Sequence, residues 1–136
     1  DTMQAAILLE KLAIFKNELT LRQSVANYYK SNICSAYKMP HTPDGYYSSW
    51  AQFSIIPKDQ NRRKDIMLKL NEKKIPTMIY YPKCVHLQKA FEKYNFGEGL
   101  FPVSEKSSLS IFSIPMHPYL DKNSQDTIIE ELNKFE

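Results

Sequence analysis

Apolar residues recur along the first third of the chain at helical spacing. Ala5, Leu8, Leu12, Phe15, Leu19, Ala26, Tyr29 and Ile33 follow one another at steps of three, four or seven, which places them on one face of a helix from Thr2 to about Ile33. Glu10, Lys11, Lys16, Glu18 and Arg22 fall largely elsewhere on the wheel. Asp1 can cap the first amides, and Gln4 sits where a capping-box partner reaches back. At 1.5 Å per residue such a helix runs roughly 45 Å. That length suits a spine joining two domains or an interface helix, and it also suits a plain core helix. A chain whose first residue already caps a helix reads as cut from a longer protein, so a fragment is expected.

The period then changes. Ser35 to Gly45 reads as a loop, with Pro40, Pro43 and the Asp44-Gly45 turn signal. Tyr46 to Ile56 alternates as a strand with Tyr47, Ala51, Phe53 and Ile55 on one side and Trp50 on the other, which predicts cover on both faces. Asn61 caps a predicted helix to Lys73 that points Ile66, Met67 and Leu70 inward. Ile75 to Tyr81 is a short apolar strand stopped by Pro82, which has no amide hydrogen for a ladder. A helix through Ala90 follows, then an irregular piece, then a short helix from Pro102 through Glu105. Leu109 to Ile114 is the third strand. Asn123 or Ser124 caps a last helix that buries Ile128, Ile129, Leu132 and Phe135. The pattern predicts an α/β chain of α+β two-layer type: a small three-stranded sheet with packed helices and a long N-terminal helix. Residues 1–33 would be the connecting or interface helix, and 34–136 the small domain.

Composition narrows the function. The 136 residues suffice for one domain with a core. A net charge of +3 with Lys and Glu interspersed gives no basic stripe, so no nucleic-acid partner is expected. No apolar run reaches the 18 or so residues of a membrane span, so no membrane partner is expected either. Cys34 and Cys84 match no metal spacing, and reduced thiols in a cytoplasm are the economical reading. His41, His86 and His117 are too dispersed for a helical zinc pair. The three glycines, Gly45, Gly97 and Gly99, cannot build a glycine-rich phosphate loop.

One stretch gathers chemistry. Tyr80, Tyr81, His86 and Gln88 surround the end of the predicted strand Ile75–Tyr81, the place where ligands usually bind in α/β proteins. The plain alternative is that paired aromatics on a strand pack across it, and that a loop histidine is an ordinary surface residue.

Five motifs resemble those of the DegT/DnrJ/StrS family of pyridoxal-phosphate-dependent aminotransferases that act on nucleotide-linked keto-sugars. Asp1 to Leu9 resembles the helix start that follows the family's active-site region. Trp50-Ala51-Gln52-Phe53 is similar to its first small-domain strand. Ile75-Pro76-Thr77, Tyr80-Tyr81-Pro82 and His86-Leu87-Gln88 resemble its second strand and loop. Phe101 to Glu105 and Ser113 to Leu120 resemble its closing motifs. Lys74 stands where the family usually has glycine, and Lys83-Cys84-Val85 replaces the commoner Ile-Pro-Leu type of run.

The resemblance implies the C-terminal small domain of a fold-type I aminotransferase. It implies pyridoxal phosphate in the intact enzyme, with the aldimine lysine, the acid at the ring nitrogen and the phosphate donors all in a large domain. No lysine here sits in a matching motif, so no catalytic residue is nominated and the chain alone is expected neither to hold the cofactor nor to transaminate. By resemblance, Tyr80 and Tyr81 lie near the sugar nucleotide, often facing the partner subunit's site in a homodimer. His86 either orients the loop or touches substrate. Tyrosine suits this role, with an apolar face for a sugar ring and a hydroxyl for hydrogen bonds. The implied reaction moves an amino group, usually from glutamate, to a keto-sugar. The Tyr-Tyr-Pro form leans towards UDP-linked acetamido sugars for surface polysaccharide. A different class also fits the residues: a non-catalytic split-gene remnant or interaction module that binds through the long helix. His117, between two prolines, and Trp50 read as structural.

Overall fold

A computed structural model describes all residues from Asp1 to Glu136. Helix α1 spans Thr2–Asn32, and the Asp1 carboxylate accepts from the Met3 and Gln4 amides at 2.8 and 3.3 Å. Its apolar stripe divides in two. Ala26, Tyr29 and Ile33 are buried, whereas Leu8, Leu12 and Phe15 are 64, 67 and 46% exposed. Every residue before Glu18 is exposed, because the core of the chain packs on the second half of the helix.

The sheet has three strands, as the pattern predicts; two arise within expected segments, and one is built from a different segment. β1 is Tyr37–Lys38, β2 is Phe53–Pro57 and β3 is Phe112–Ile114. Their order is β1-β2-β3, with both pairs antiparallel. Tyr37 lies opposite Pro57, and Phe53 opposite Ile114. Two expectations are corrected here. Ser35–Gly45 is not all loop, since β1 arises within it. Ile75–Tyr81 is not a full strand: it joins the sheet edge at one bridge, where Met78 and Ser113 exchange amide-to-carbonyl bonds of 3.1 and 2.7 Å. Pro76 within this segment and Pro82 just after it remove donors that a longer ladder would need.

Tyr46 to Gln52 is irregular rather than extended. Trp50 has φ 49, a left-handed conformation, and this turns its ring to the same side as Phe53, 5.6 Å away. The expected aromatic on the far face is therefore in the core. Its indole Nε1 donates to Gln23 Oε1 at 2.9 Å, and its carbonyl accepts from Arg22 at 3.0 Å. The Lys30 ammonium sits 4.3 Å from the ring centroid. Trp50 thus ties the sheet segment to α1.

α2, Arg63–Glu72, follows a short 3₁₀ turn over Gln60–Arg62. Asp59, not Asn61, supplies the cap, accepting from the Asn61 amide at 3.1 Å. The helix ends in a Schellman arrangement: Lys74 N–H donates to Asn71 C=O at 2.8 Å and Ile75 N–H to Leu70 C=O at 2.9 Å. Lys74 takes φ 60 there, the conformation for which glycine is suited. α3 is Pro102–Ser110 and α4 is Lys122–Asn133. Asp121 caps α4 through the Ser124 amide, two or three residues ahead of the expected Asn123 or Ser124.

α4 packs on α1 and α2, and α3 packs against β2. The core is Tyr29, Phe53, Ile55, Ile66, Leu70, Phe112 and Leu132, each fully buried. Ile128 and Ile129 are buried beside them and Phe135 is half-buried. The Tyr29 hydroxyl donates to Pro115 C=O and that of Tyr37 to Leu132 C=O, both at 3.0 Å. Burial pushes both phenols well above their ordinary pKa. No helix is long and apolar enough to cross a membrane.

Candidate functional site

The bridge at Met78 carries the chain past the sheet edge and releases Tyr80 and Tyr81 on its far side. Both are exposed, by 45 and 66%, and their rings meet edge to face at 6.4 Å. The peptide between them is cis. Neither hydroxyl bonds to the chain, so both are available to a ligand. Buried Cys84 then anchors the chain again, and Val85–Leu87 forms a 3₁₀ turn.

Two clefts flank this turn. A smaller one, about 220 Å³, lies between Tyr80, Tyr81 and Lys83 and a row of α3 serines, Ser104, Ser107 and Ser108. A larger one, about 570 Å³, lies beyond His86 and is lined also by Gln88, Lys89, Glu92 and Asn95. The fold therefore gathers the two tyrosines on one rim and places His86 on the other, with Lys83 lining both clefts.

His86 does not stand free. Its Nε2 lies 3.0 Å from Glu105 Oε1, and its ring is 4.7 Å from that of Phe101. An ionised carboxylate only accepts, so the proton is on Nε2 and the uncommitted ring nitrogen is Nδ1. Glu105 collects two further donors: Phe101 N–H at 3.1 Å on Oε1 and Gly99 N–H at 2.8 Å on Oε2. The amides of Gly99 and Phe101, and then His86, hold the Glu105 carboxyl below its ordinary pKa. Sequence reasoning placed Glu105 at the end of a short helix and gave it no role. The available signal was an acid in the first turn after a helix start that has no capping side chain of its own.

A second polar cluster also escaped the sequence. Buried Glu18 on α1 pairs with Lys11 and accepts from the Tyr119 hydroxyl at 2.6 Å. It lies in a groove of about 590 Å³ with Leu8, Leu12, Phe15, Arg22 and Pro118. Lys11 first, and then Tyr119, draws the Glu18 pKa down, while Glu18 raises those of both partners. His117 is exposed and lines neither of the two clefts beside the tyrosines.

The residues present do not fit a pyridoxal-phosphate site by themselves. No lysine is buried. Lys30, the most enclosed in its setting, is committed to the face of Trp50. Each glycine has open space where a side chain would stand, so none marks a close backbone cradle for a phosphate.

The fold is that seen in solved aminotransferase structures. The aminotransferase structure from Brucella abortus superposes with a TM-score of 0.91 at 42% identity, over 99% of this chain and 35% of that one. DesV from S. venezuelae, in complex with a ketimine intermediate, superposes at 0.90 with 26% identity, over 98 and 36% of the two chains. The UDP-2-acetamido-2-deoxy-3-oxo-D-glucuronate aminotransferase of Pseudomonas aeruginosa is 34% identical over 91% of this chain and 33% of its own. The model of the DegT/DnrJ/EryC1/StrS aminotransferase family matches residues 1–133, and the chain belongs to that family. It spans about a third of the length of the curated relatives it matches.

Proposed function

We propose that this chain is the C-terminal part of a pyridoxal-phosphate-dependent aminotransferase that moves an amino group from an amino acid, glutamate by family resemblance, to a nucleotide-linked keto-sugar. In this reading residues 1–33 connect to, or interface with, a larger cofactor-binding domain, and 34–136 form the small domain. The cofactor supplies the amino-transfer chemistry in the intact enzyme. This chain's residues recognise the sugar nucleotide: Tyr80 and Tyr81 offer aromatic faces and hydroxyls to the sugar, and His86 shapes the neighbouring wall. The likeness to the P. aeruginosa enzyme supports a UDP-linked acetamido sugar, as does the Tyr-Tyr-Pro form. A homodimer in which the tyrosines face the partner subunit's site completes the proposal.

The observation that carries this reading is the pair of exposed tyrosines with no hydrogen-bond partner in the chain, beside a cleft lined by hydroxyls. Packing aromatics would be covered; these are presented. The test is Tyr81→Phe in the intact enzyme. Loss of one hydroxyl contact to the sugar should lower kcat/KM for the nucleotide sugar about tenfold, or about 1.4 kcal/mol, with the absorbance of bound cofactor unchanged. Unaltered kinetics would remove Tyr81 from the site. An intact protein that carries no pyridoxal phosphate would instead favour the interaction-module reading, for which the exposed half of α1 is the supporting feature.

A further inference from the structure

The segment from Leu87 to Leu100 leaves the body of the domain and returns to it within a short distance. It carries a 3₁₀ stretch over Lys89–Tyr94, and every residue from Lys89 to Leu100 is exposed. Its side chains add little cover: Phe91, Tyr94 and Phe96 form a partly stacked row in the open and end on Phe101. A chain of this length with so few buried groups needs its ends fixed to hold one shape.

Glu105 is the group that fixes them. At the departing end it holds His86 at 3.0 Å. At the returning end it holds Gly99 N–H at 2.8 Å and Phe101 N–H at 3.1 Å. Gly99 has φ 86, a left-handed turn that a side chain would disfavour. The bond to His86 is partly buried, with the His86 side chain 10% and that of Glu105 20% exposed, whereas the two amide bonds lie at the surface. Both carboxylate oxygens are used, and each end of the segment is held by a donor that has no alternative partner in the chain.

We propose that Glu105 is a positioning residue for substrate: a single carboxylate clasps the 87–100 segment at both ends and thereby sets the wall of the cleft lined by His86, Gln88, Lys89 and Asn95. Glu105 itself does not face the tyrosine rim, so it acts through His86 and the segment. The substrate part of this inference rests on the nucleotide-sugar reading above; the clasp does not.

The experiment uses the intact protein, loaded with pyridoxal phosphate, in three forms: wild type, Glu105→Gln and Glu98→Gln. Glu98 is an exposed acid on the same segment with no partner in the chain. Trypsin can cut after Lys89 and Lys93, both exposed within the clasped segment. Glu105→Gln should be cut there at least tenfold faster, with unchanged rates at other sites, while Glu98→Gln behaves as wild type. Equal rates at Lys89 and Lys93 would overturn the clasp. So would faster cutting everywhere, which marks general destabilisation instead. If Glu105→Gln does not fold, His86→Asn removes one arm only and should give a smaller acceleration confined to the same two sites; none would count against the clasp.

Calorimetry with UDP-N-acetylglucosamine, a sugar nucleotide without the keto group, reads the second part. Binding should weaken about tenfold in Glu105→Gln with cofactor absorbance retained. Equal binding by wild type and variant would overturn the positioning role. A wild type that does not bind the probe would sink both the nucleotide-sugar reading and the substrate role, leaving the trypsin pattern to decide the clasp.

Discussion

Glu105 and Glu18 show how a few carboxylates organise regions that have little apolar cover. Each accepts from more than one donor, and each has its pKa drawn below the ordinary value of 4.5. For Glu105 the sign of the pH dependence follows directly. A depressed native pKa contributes stability that is complete above the unfolded value and lost as pH falls through the native one. Amide exchange at Gly99 and Phe101, corrected for the intrinsic pH trend, should therefore accelerate below about pH 4 and be flat from there to neutrality. Protection that persists well below that range would mean the carboxylate is not what holds the segment. The Glu18 cluster has limits on both sides. Its carboxylate fails in acid, whereas Lys11 and Tyr119, both raised by it, lose their contribution as pH rises through their native values. Glu18 was not legible beforehand, because Tyr119 lies 101 residues away; Glu105 left only a local signal, with Gly99 and Phe101 six and four residues before it. Periodicity reports which face a residue is on, not what meets it there.

At the scale of elements, legibility tracked length and local chemistry. The long helix, the inward residues Ile66 and Leu70, and the buried face of α4 all follow from 3.6-residue periodicity. Caps shifted by two or three residues, since Asp59 and Asp121 reach forward to amides that Asn61 and Ser124 supply. Strands were harder. β1 has two residues and β3 three, too few for alternation to register, and Pro76 and Pro82 cut the promising run Ile75–Tyr81 to one bridge. The C-terminus of α2 carries a testable cost. Lys74 occupies a left-handed position, so Lys74→Gly should stabilise the fold by roughly 1 kcal/mol. Urea denaturation reads this directly. A neutral or destabilising result would mean that the lysine side chain makes a compensating contact. For the candidate site, the expected residues and their arrangement can be compared only in geometry. Tyr80 and Tyr81 were expected with His86 at one strand end, and the turn at Cys84–Leu87 sets them on different clefts.

For the molecule as a whole, the balance of covered and open surface is uneven. The core lies behind the sheet and the second half of α1, while Met3, Ile7, Leu8, Leu9 and Leu12 are each at least 64% exposed on the first half. Apolar side chains left open in this way favour association. The 136-residue chain on its own should self-associate, visible as a rise in mass with concentration in light scattering. Charged substitution at Leu8 and Leu12 should suppress it, and a clean monomer at high concentration would sink the expectation. The chain also holds a single tryptophan. Because Trp50 is sealed between α1 and the strand segment, with its indole N–H taken by Gln23, its fluorescence is a native optical gauge of whether the helix is seated. Emission stays short in wavelength while the two remain joined and moves red when water reaches the ring. The tyrosine rim and the Glu105 clasp can thus be altered one at a time, while an unmodified dye, already in the sequence, reports that the scaffold beneath them has kept its shape.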